Sequence, residues 1–168
     1  MIQKKVGMLS AFAVGKTSLV ARFVRSIYSE TYQTTIGVKV DKKEVAVDGA
    51  PLGLLLWDLH GEDELQKVRL VYLRGASGYL LVADGTRAAT LEVAKSLQQQ
   101  ITATLGPLPF VLVLNKADRA DDWEITPAQL AALQHKGWPV LKTSARTGAG
   151  VEEAFVLLAR LMLKGTHG

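Results

Sequence analysis

Cysteine is absent from the 168-residue chain, which excludes disulfide bonds, thiolate metal sites and a cysteine nucleophile. No apolar run approaches the roughly 18 residues that a membrane-spanning helix needs. The first residues lead directly into a predicted strand and do not have the anatomy of a signal peptide. Residues 164–168 contain no prenylation cysteine. We therefore expect a soluble cytoplasmic protein with no membrane anchor of its own.

An excess of charge of one sign is also lacking. The net charge is only +4, from 20 basic and 16 acidic residues. An excess this small and evenly spread gives no reason to expect nucleic-acid binding. The length suits one domain with one core, so residues 1–168 are predicted to form a single domain, and we expect a monomer.

Short apolar runs alternate with segments of helical period, which predicts an α/β fold. The predicted strands are residues 6–9, 38–47, 52–58, 79–83, 110–114 and 140–141. The predicted helices are residues 15–24, 62–73, 91–105, 127–134 and 151–163. Asp48-Gly49 predicts a hairpin turn between the second and third strands. Thr126 and Pro127 predict a helix start, as N-cap and first helical residue.

A loop between the first strand and the first helix matches a phosphate-binding pattern. Residues 10–17, SAFAVGKT, fit G-x-x-x-x-G-K-[ST] except that Ser10 replaces the first glycine. Gly15 permits the turn, Lys16 brings a charge to the outer phosphates, and Thr17 is a candidate Mg²⁺ ligand. The alternative is a helix start without a ligand. The predicted contacts to phosphate are Ala13, Val14, Gly15, Lys16, Thr17 and Ser18.

A second motif, Asn115-Lys116-Ala117-Asp118, directly follows a predicted buried strand. It is therefore expected at the carboxyl edge of the sheet, where open parallel sheets bind ligands. The Asp118 carboxylate can accept hydrogen bonds from guanine N1–H and its exocyclic amine, which adenine does not offer in that arrangement. The stem of Lys116 can lie over the base, and Asn115 is expected to brace the loops. The alternative is ordinary turn chemistry, because Asn and Asp favour loops.

The segment Thr143-Ser144-Ala145-Arg146 follows the last predicted strand. Its predicted role is to offer the Ala145 backbone N–H to guanine O6. Taken alone this segment is a weak signal, because a Ser-Ala pair after a strand is usually only a loop.

Taken together, these motifs make the sequence similar to the Ras superfamily, and most like its Rab branch, from about residue 4 to residue 163. The other two motifs run from Tyr28 through Thr35-Ile36-Gly37, and from Trp57 to Gly61. The resemblance implies a three-layer P-loop G domain with a mostly parallel six-stranded sheet and helices on both faces. It also implies GTP or GDP as ligand with Mg²⁺ as cofactor.

The resemblance assigns roles to four further residues. Tyr28 would meet the guanine edge. Thr35 would close on Mg²⁺ and the γ-phosphate in the triphosphate state only, and Asp58 would hold Mg²⁺ through water. The N–H of Gly61 would meet the γ-phosphate. These contacts imply a switch, since they are lost when that phosphate leaves.

The second-switch motif departs from the family pattern, because Glu62 stands where a water-orienting glutamine is usual. An ionised glutamate only accepts hydrogen bonds, and it brings negative charge toward the γ-phosphate. Phe12 is bulky at a position that is commonly small, so it either obstructs an activator's arginine finger or folds outward with little effect. His60 either substitutes for the glutamine or is an ordinary loop histidine.

The sequence therefore predicts a switch that hydrolyses GTP slowly, with catalysis by Lys16, Thr35, Gly61 and Glu62. Regulators or effectors are expected at the two switch regions. One alternative is a nucleotide-holding adaptor with negligible GTPase activity, and another is a P-loop kinase or ATPase, which the base motif disfavours. The missing lipidation site indicates a prokaryotic Ras-like protein or a domain trimmed from a longer chain.

Overall fold

A computed structural model describes residues 2–11, 14–24, 30–33, 38–59 and 70–165. In these ranges, seven strands form one sheet: β1 (Ile2–Ser10), β2 (Glu30–Gln33), β3 (Lys39–Val47), β4 (Ala50–Leu59), β5 (Gly78–Asp84), β6 (Phe110–Asn115) and β7 (Val140–Lys142). Their order across the sheet is β2-β3-β4-β1-β5-β6-β7.

The sheet is parallel from β4 to β7 and antiparallel at one edge. β1 pairs in parallel with β4 and β5, and β6 pairs in parallel with β5 and β7. β2, β3 and β4 are antiparallel neighbours. The predicted turn joins β3 to β4, with φ of 51° at Asp48 and 83° at Gly49, the left-handed pair that a tight hairpin needs. The mostly parallel sheet expected from the sequence is confirmed, with β2 as a short extra strand at its edge.

Helices cover both faces of the sheet, as expected. They are α1 (Lys16–Val24), α2 (Ala88–Leu105), α3 (Pro127–His135) and α4 (Val151–Gly165). α1 and α4 pack on one face, where the rings of Phe23 and Phe155 stack with centroids 3.7 Å apart. α2 and α3 pack on the other. Among the helices described, none combines the length and apolar character needed to cross a membrane.

Some boundaries differ from the sequence-based prediction. α2 begins at Ala88 rather than residue 91, because the Glu124 carboxylate accepts a hydrogen bond from the Ala88 N–H at 2.8 Å. Most of the predicted helix 62–73 lies outside the described residues. Its end, Leu70–Leu73, is a 3₁₀ turn rather than α-helix. At its end the Arg74 N–H donates to the carbonyl three residues back, at Val71, at 3.2 Å.

Candidate functional site

Polar side chains gather where the parallel strands end. Ser10, Asp84 and Asn115 are the last residues of β1, β5 and β6. Asp58 is the last but one of β4, and Thr143 directly follows β7. All five are buried. Because parallel strands place their carboxyl ends at one edge, residues far apart in sequence meet there, at the usual ligand position of such sheets.

The predicted phosphate loop leads from β1 into α1. Ser10 is the last residue of β1 and has ordinary strand geometry, so this position does not need the conformational freedom of a glycine. Gly15 does need it: its φ is 89°, and an added Cβ would collide with the Asn115 side-chain amide. Replacement of the first glycine of the pattern by Ser10 therefore leaves the strand intact, and the glycine that the turn requires, Gly15, is present.

Lys16 and Asp58 form a buried ion pair at the start of α1. Lys16 Nζ lies 2.6 Å from Asp58 Oδ1, and both side chains are at most 10 % exposed. Lys16 Nζ also lies 3.5 Å from the Met8 carbonyl oxygen. Burial lowers the pKa of Lys16, while the Asp58 carboxylate acts in the opposite direction. The structure thus brings together the predicted phosphate-binding lysine and the predicted metal-site aspartate.

Asn115 connects three loops, the bracing role expected from the sequence. Its amide Nδ2 donates to the Val14 carbonyl at 3.1 Å. Its Oδ1 accepts from the Ala145 N–H at 3.1 Å and from the Thr143 hydroxyl at 3.4 Å. One buried side chain therefore ties the phosphate loop to both predicted base-reading segments. The Ala145 N–H, predicted to meet guanine O6, donates to Asn115 in this structure.

Asp118 is exposed but oriented by Ser144, whose hydroxyl donates to its Oδ1 at 2.8 Å. This hydrogen bond lowers the pKa of Asp118, and the charges of Arg146 and Arg119 add to the lowering, against a smaller opposing effect from partial loss of hydration. The carboxylate therefore stays ionised and able to accept hydrogen bonds at neutral pH. The two motifs predicted to read the base lie side by side.

Asp84 is a site residue that the sequence prediction missed. Its carboxylate lies 2.7 Å from Lys116 Nζ, and it is fully buried at the end of β5, next to Asn115 in the register of the sheet. One signal was available in the sequence: a charged residue directly follows the apolar run 79–83, at the same edge as Asn115.

Several predicted site residues lie outside the described part of the chain: Phe12, Ala13, Tyr28, Thr35, His60, Gly61 and Glu62. Val14 is buried in the hydrophobic core, and Ser18 is exposed in the first turn of α1. The backbone of Thr17 belongs to α1, directly after Lys16. Within the described ranges, no group of three or more His, Cys, Asp or Glu is placed to hold a metal.

Known proteins resemble the chain over nearly its whole length. The Ras family model matches residues 5–164. The chain is 34% identical over 169 residues to the Ypt/Rab-type GTPase YPT7 of Saccharomyces cerevisiae, covering 95% of this chain and 81% of that protein. It is 34% identical over 162 residues to the Ras-related protein RABF2b of Arabidopsis thaliana, covering 95% and 80%. Identity to the Ras-related protein Rab-7a of Dictyostelium discoideum is 33% over 171 residues, covering 98% and 84%.

Proposed function

Because this chain belongs to the Ras family and is Rab-like within it, we propose that it is a GTP-binding switch that hydrolyses GTP to GDP and phosphate. The observation that carries the proposal is the single edge of the sheet where Lys16, Asp58, Asn115 and Asp118 meet. The groups that we propose to bind phosphate and to read the base lie there on loops tied together by one side chain, Asn115.

At the phosphate end, Lys16 supplies the positive charge. The ammonium is buried beside Asp58, so it acts in surroundings where a charge is worth more than in water. The first N–H groups of α1 have no partners within the helix and are suited to phosphate oxygens. Together they would stabilise the negative charge that develops on the phosphates during hydrolysis.

The Asp58 carboxylate at this end suits Mg²⁺, which prefers oxygen ligands, and the sequence offers further oxygen ligands in the hydroxyls of Thr17 and Thr35. We assign these three residues to the metal. When bound, Mg²⁺ would offset phosphate charge. The Asp58 carboxylate contacts Lys16, so the residue proposed to hold Mg²⁺ lies next to the one proposed to bind phosphate.

At the base end, Asp118 accounts for guanine recognition. Its carboxylate is an acceptor only, so it matches the paired donors of guanine N1–H and the 2-amino group. Ser144 holds one carboxylate oxygen, which fixes the orientation of the other. An adenine nucleotide would offer no donors to this carboxylate in that arrangement, and an acceptor left unpaired against a bound base costs about 1–3 kcal/mol. ATP-using kinase or ATPase chemistry is disfavoured for this reason.

The first prediction concerns base choice. Asp118→Asn should reduce affinity for GDP by at least about tenfold and raise affinity for xanthosine diphosphate, because an amide can donate to the 2-oxo group of xanthine. Competition against a fluorescent GDP analogue measures both affinities. Asp121→Asn, an exposed carboxylate in the same 3₁₀ segment, is the matched control. An unchanged preference for guanine in Asp118→Asn would place the base elsewhere.

The second prediction concerns turnover. Phe12 and Glu62 lead us to propose slow hydrolysis and a poor response to arginine-finger activators. Glu62→Gln should raise the single-turnover rate by about tenfold or more, because a glutamine can both donate and accept at the attacking water. Phosphate release from GTP-loaded protein over hours measures the rate. Fast hydrolysis by the unmodified chain would contradict the proposal. If neither the unmodified chain nor Glu62→Gln released phosphate, the adaptor alternative would be favoured.

As a switch, the protein would have partners that distinguish its GTP and GDP states. We place their binding at the segments around Thr35 and Gly61, where contacts to the γ-phosphate are proposed.

A further inference from the structure

A buried carboxylate and an indole ring hold Lys116 from two sides. Asp84 Oδ2 lies 2.7 Å from Lys116 Nζ, and the indole N–H of Trp123 donates to the Lys116 carbonyl at 2.8 Å. We propose that Asp84 and Trp123 are positioning residues that fix Lys116 in place for contact with the guanine ring. This inference rests on the proposed function, because it assumes that Lys116 lies over the base.

The Asp84 carboxylate is held in place by residues other than Lys116 as well. Its Oδ1 accepts two hydrogen bonds from Thr86, from the N–H at 2.8 Å and the hydroxyl at 2.7 Å. Its Oδ2 accepts from Lys116 and, at 3.1 Å, from Arg87 Nε. Burial raises the pKa of this carboxyl, but these hydrogen bonds outweigh it and lower the pKa to about 2. A rigid negative charge is therefore available to the lysine at neutral pH.

The backbone of Lys116 is fixed as well. Its φ of 72° and ψ of 37° place it in the left-handed region, which residues with a side chain seldom adopt. Its carbonyl accepts from the Arg119 N–H at 2.9 Å as well as from the Trp123 indole. The ring of Trp123 lies against Gly85, where an added Cβ would collide with it. The two restraints on Lys116 thus depend on the consecutive residues Asp84 and Gly85.

These restraints affect affinity through preorganisation. A lysine side chain loses much rotamer freedom when it is immobilised against a ligand. Here the ordering is already achieved by folding, because both ends of the residue are held. Binding of the base would therefore carry a smaller entropic penalty than it would with a freely rotating lysine.

The test is a double-mutant cycle that reads the rate of GDP dissociation. Asp84→Asn keeps the shape of the side chain and an acceptor for Thr86, but it removes the charge that holds Lys116. It should speed release of a fluorescent GDP analogue by about tenfold in the wild-type background. In a Lys116→Met background the same substitution should change the rate less than twofold. Glu92→Gln, which removes an exposed carboxylate paired with Lys95 on α2 and leaves the contacts of Asp84 intact, is the matched control and should also stay within twofold.

A merely structural role for Asp84 would give equal changes in both backgrounds, and this result would overturn the proposal. Unchanged release in Asp84→Asn would do so too. If Asp84→Asn does not fold, Trp123→Phe decides, since it keeps a ring near Gly85 and removes only the donor. Release about threefold faster would support the proposal, and an unchanged rate would refute it. A wild-type chain that binds no GDP would refute the proposed function itself, whereas normal wild-type binding with unaltered variants would refute this inference alone.

Discussion

At the scale of single residues, buried polar groups of the site are held by several partners each. Asp84 accepts four hydrogen bonds, three from the nearby Thr86 and Arg87 and one from the distant Lys116. Asn115 makes three, all to segments distant in sequence. A buried polar group without partners is costly, so these side chains are satisfied within the protein. The consequence is that the chain itself sets the geometry of the proposed base site.

Gly85 illustrates how closely the residues behind this site are packed. Gly85→Ala places a methyl group against the Trp123 ring and should destabilise the fold by about 1–3 kcal/mol, as other overpacked sites do. Urea unfolding measures the change. In a Trp123→Leu background the same substitution should cost less than about 1 kcal/mol, because the obstructing ring is gone. An equal cost in both backgrounds would mean that the ring is not the obstacle.

At the scale of elements, local sequence signals account for most of the starts and stops. The Asp48-Gly49 turn and the α3 cap were both predicted, because each depends on neighbouring residues only. In α3, the Thr126 hydroxyl accepts from the Gln129 N–H at 3.2 Å, and the Gln129 side chain accepts from the Thr126 N–H at 2.9 Å. This reciprocal capping box explains why the helix begins at Pro127.

The cap also gives a prediction for stability. Thr126→Ala should lower the free energy of unfolding by about 1 kcal/mol, because the first turn of α3 loses a hydrogen-bond acceptor. Thermal or urea denaturation measures it. Gln134→Ala, an exposed change on the same helix, should stay within about 0.5 kcal/mol. Equal effects of the two substitutions would show that the cap contributes little.

Contacts between elements that are far apart in the sequence were harder to predict. The motifs at residues 10–17 and 115–118 carry their own spacing, so their positions at the carboxyl edge of the sheet were predicted correctly, while the ligand contacts assigned to them stay a prediction. Asp84 was missed because its partner Lys116 is 32 residues away. Trp123 was missed for a related reason: its contact with Gly85 exists only after β5 and β6 have paired.

At the scale of the whole molecule, a ligand bound at the sheet edge would hold α1 and the loops after β6 and β7 together. Loading with GDP at about 1,000 times its dissociation constant should therefore add about 4 kcal/mol to the free energy of unfolding. For a domain of this size, that is a rise in melting temperature of about 10 °C. Calorimetry before and after nucleotide removal measures the shift. Identical melting curves would contradict nucleotide binding to the folded chain.

The hydrogen bond from Asn115 to Val14 joins residues 101 positions apart, and Ala145 contacts Asn115 from 30 positions further along the chain. During synthesis the phosphate loop leaves the ribosome first, and it has to wait for its brace until β6 and the segment after β7 have followed. The chain is therefore expected to gain its ligand late in translation, after almost the whole sheet has assembled. Nascent chains that end before residue 145 would carry the phosphate motif without being able to retain a nucleotide.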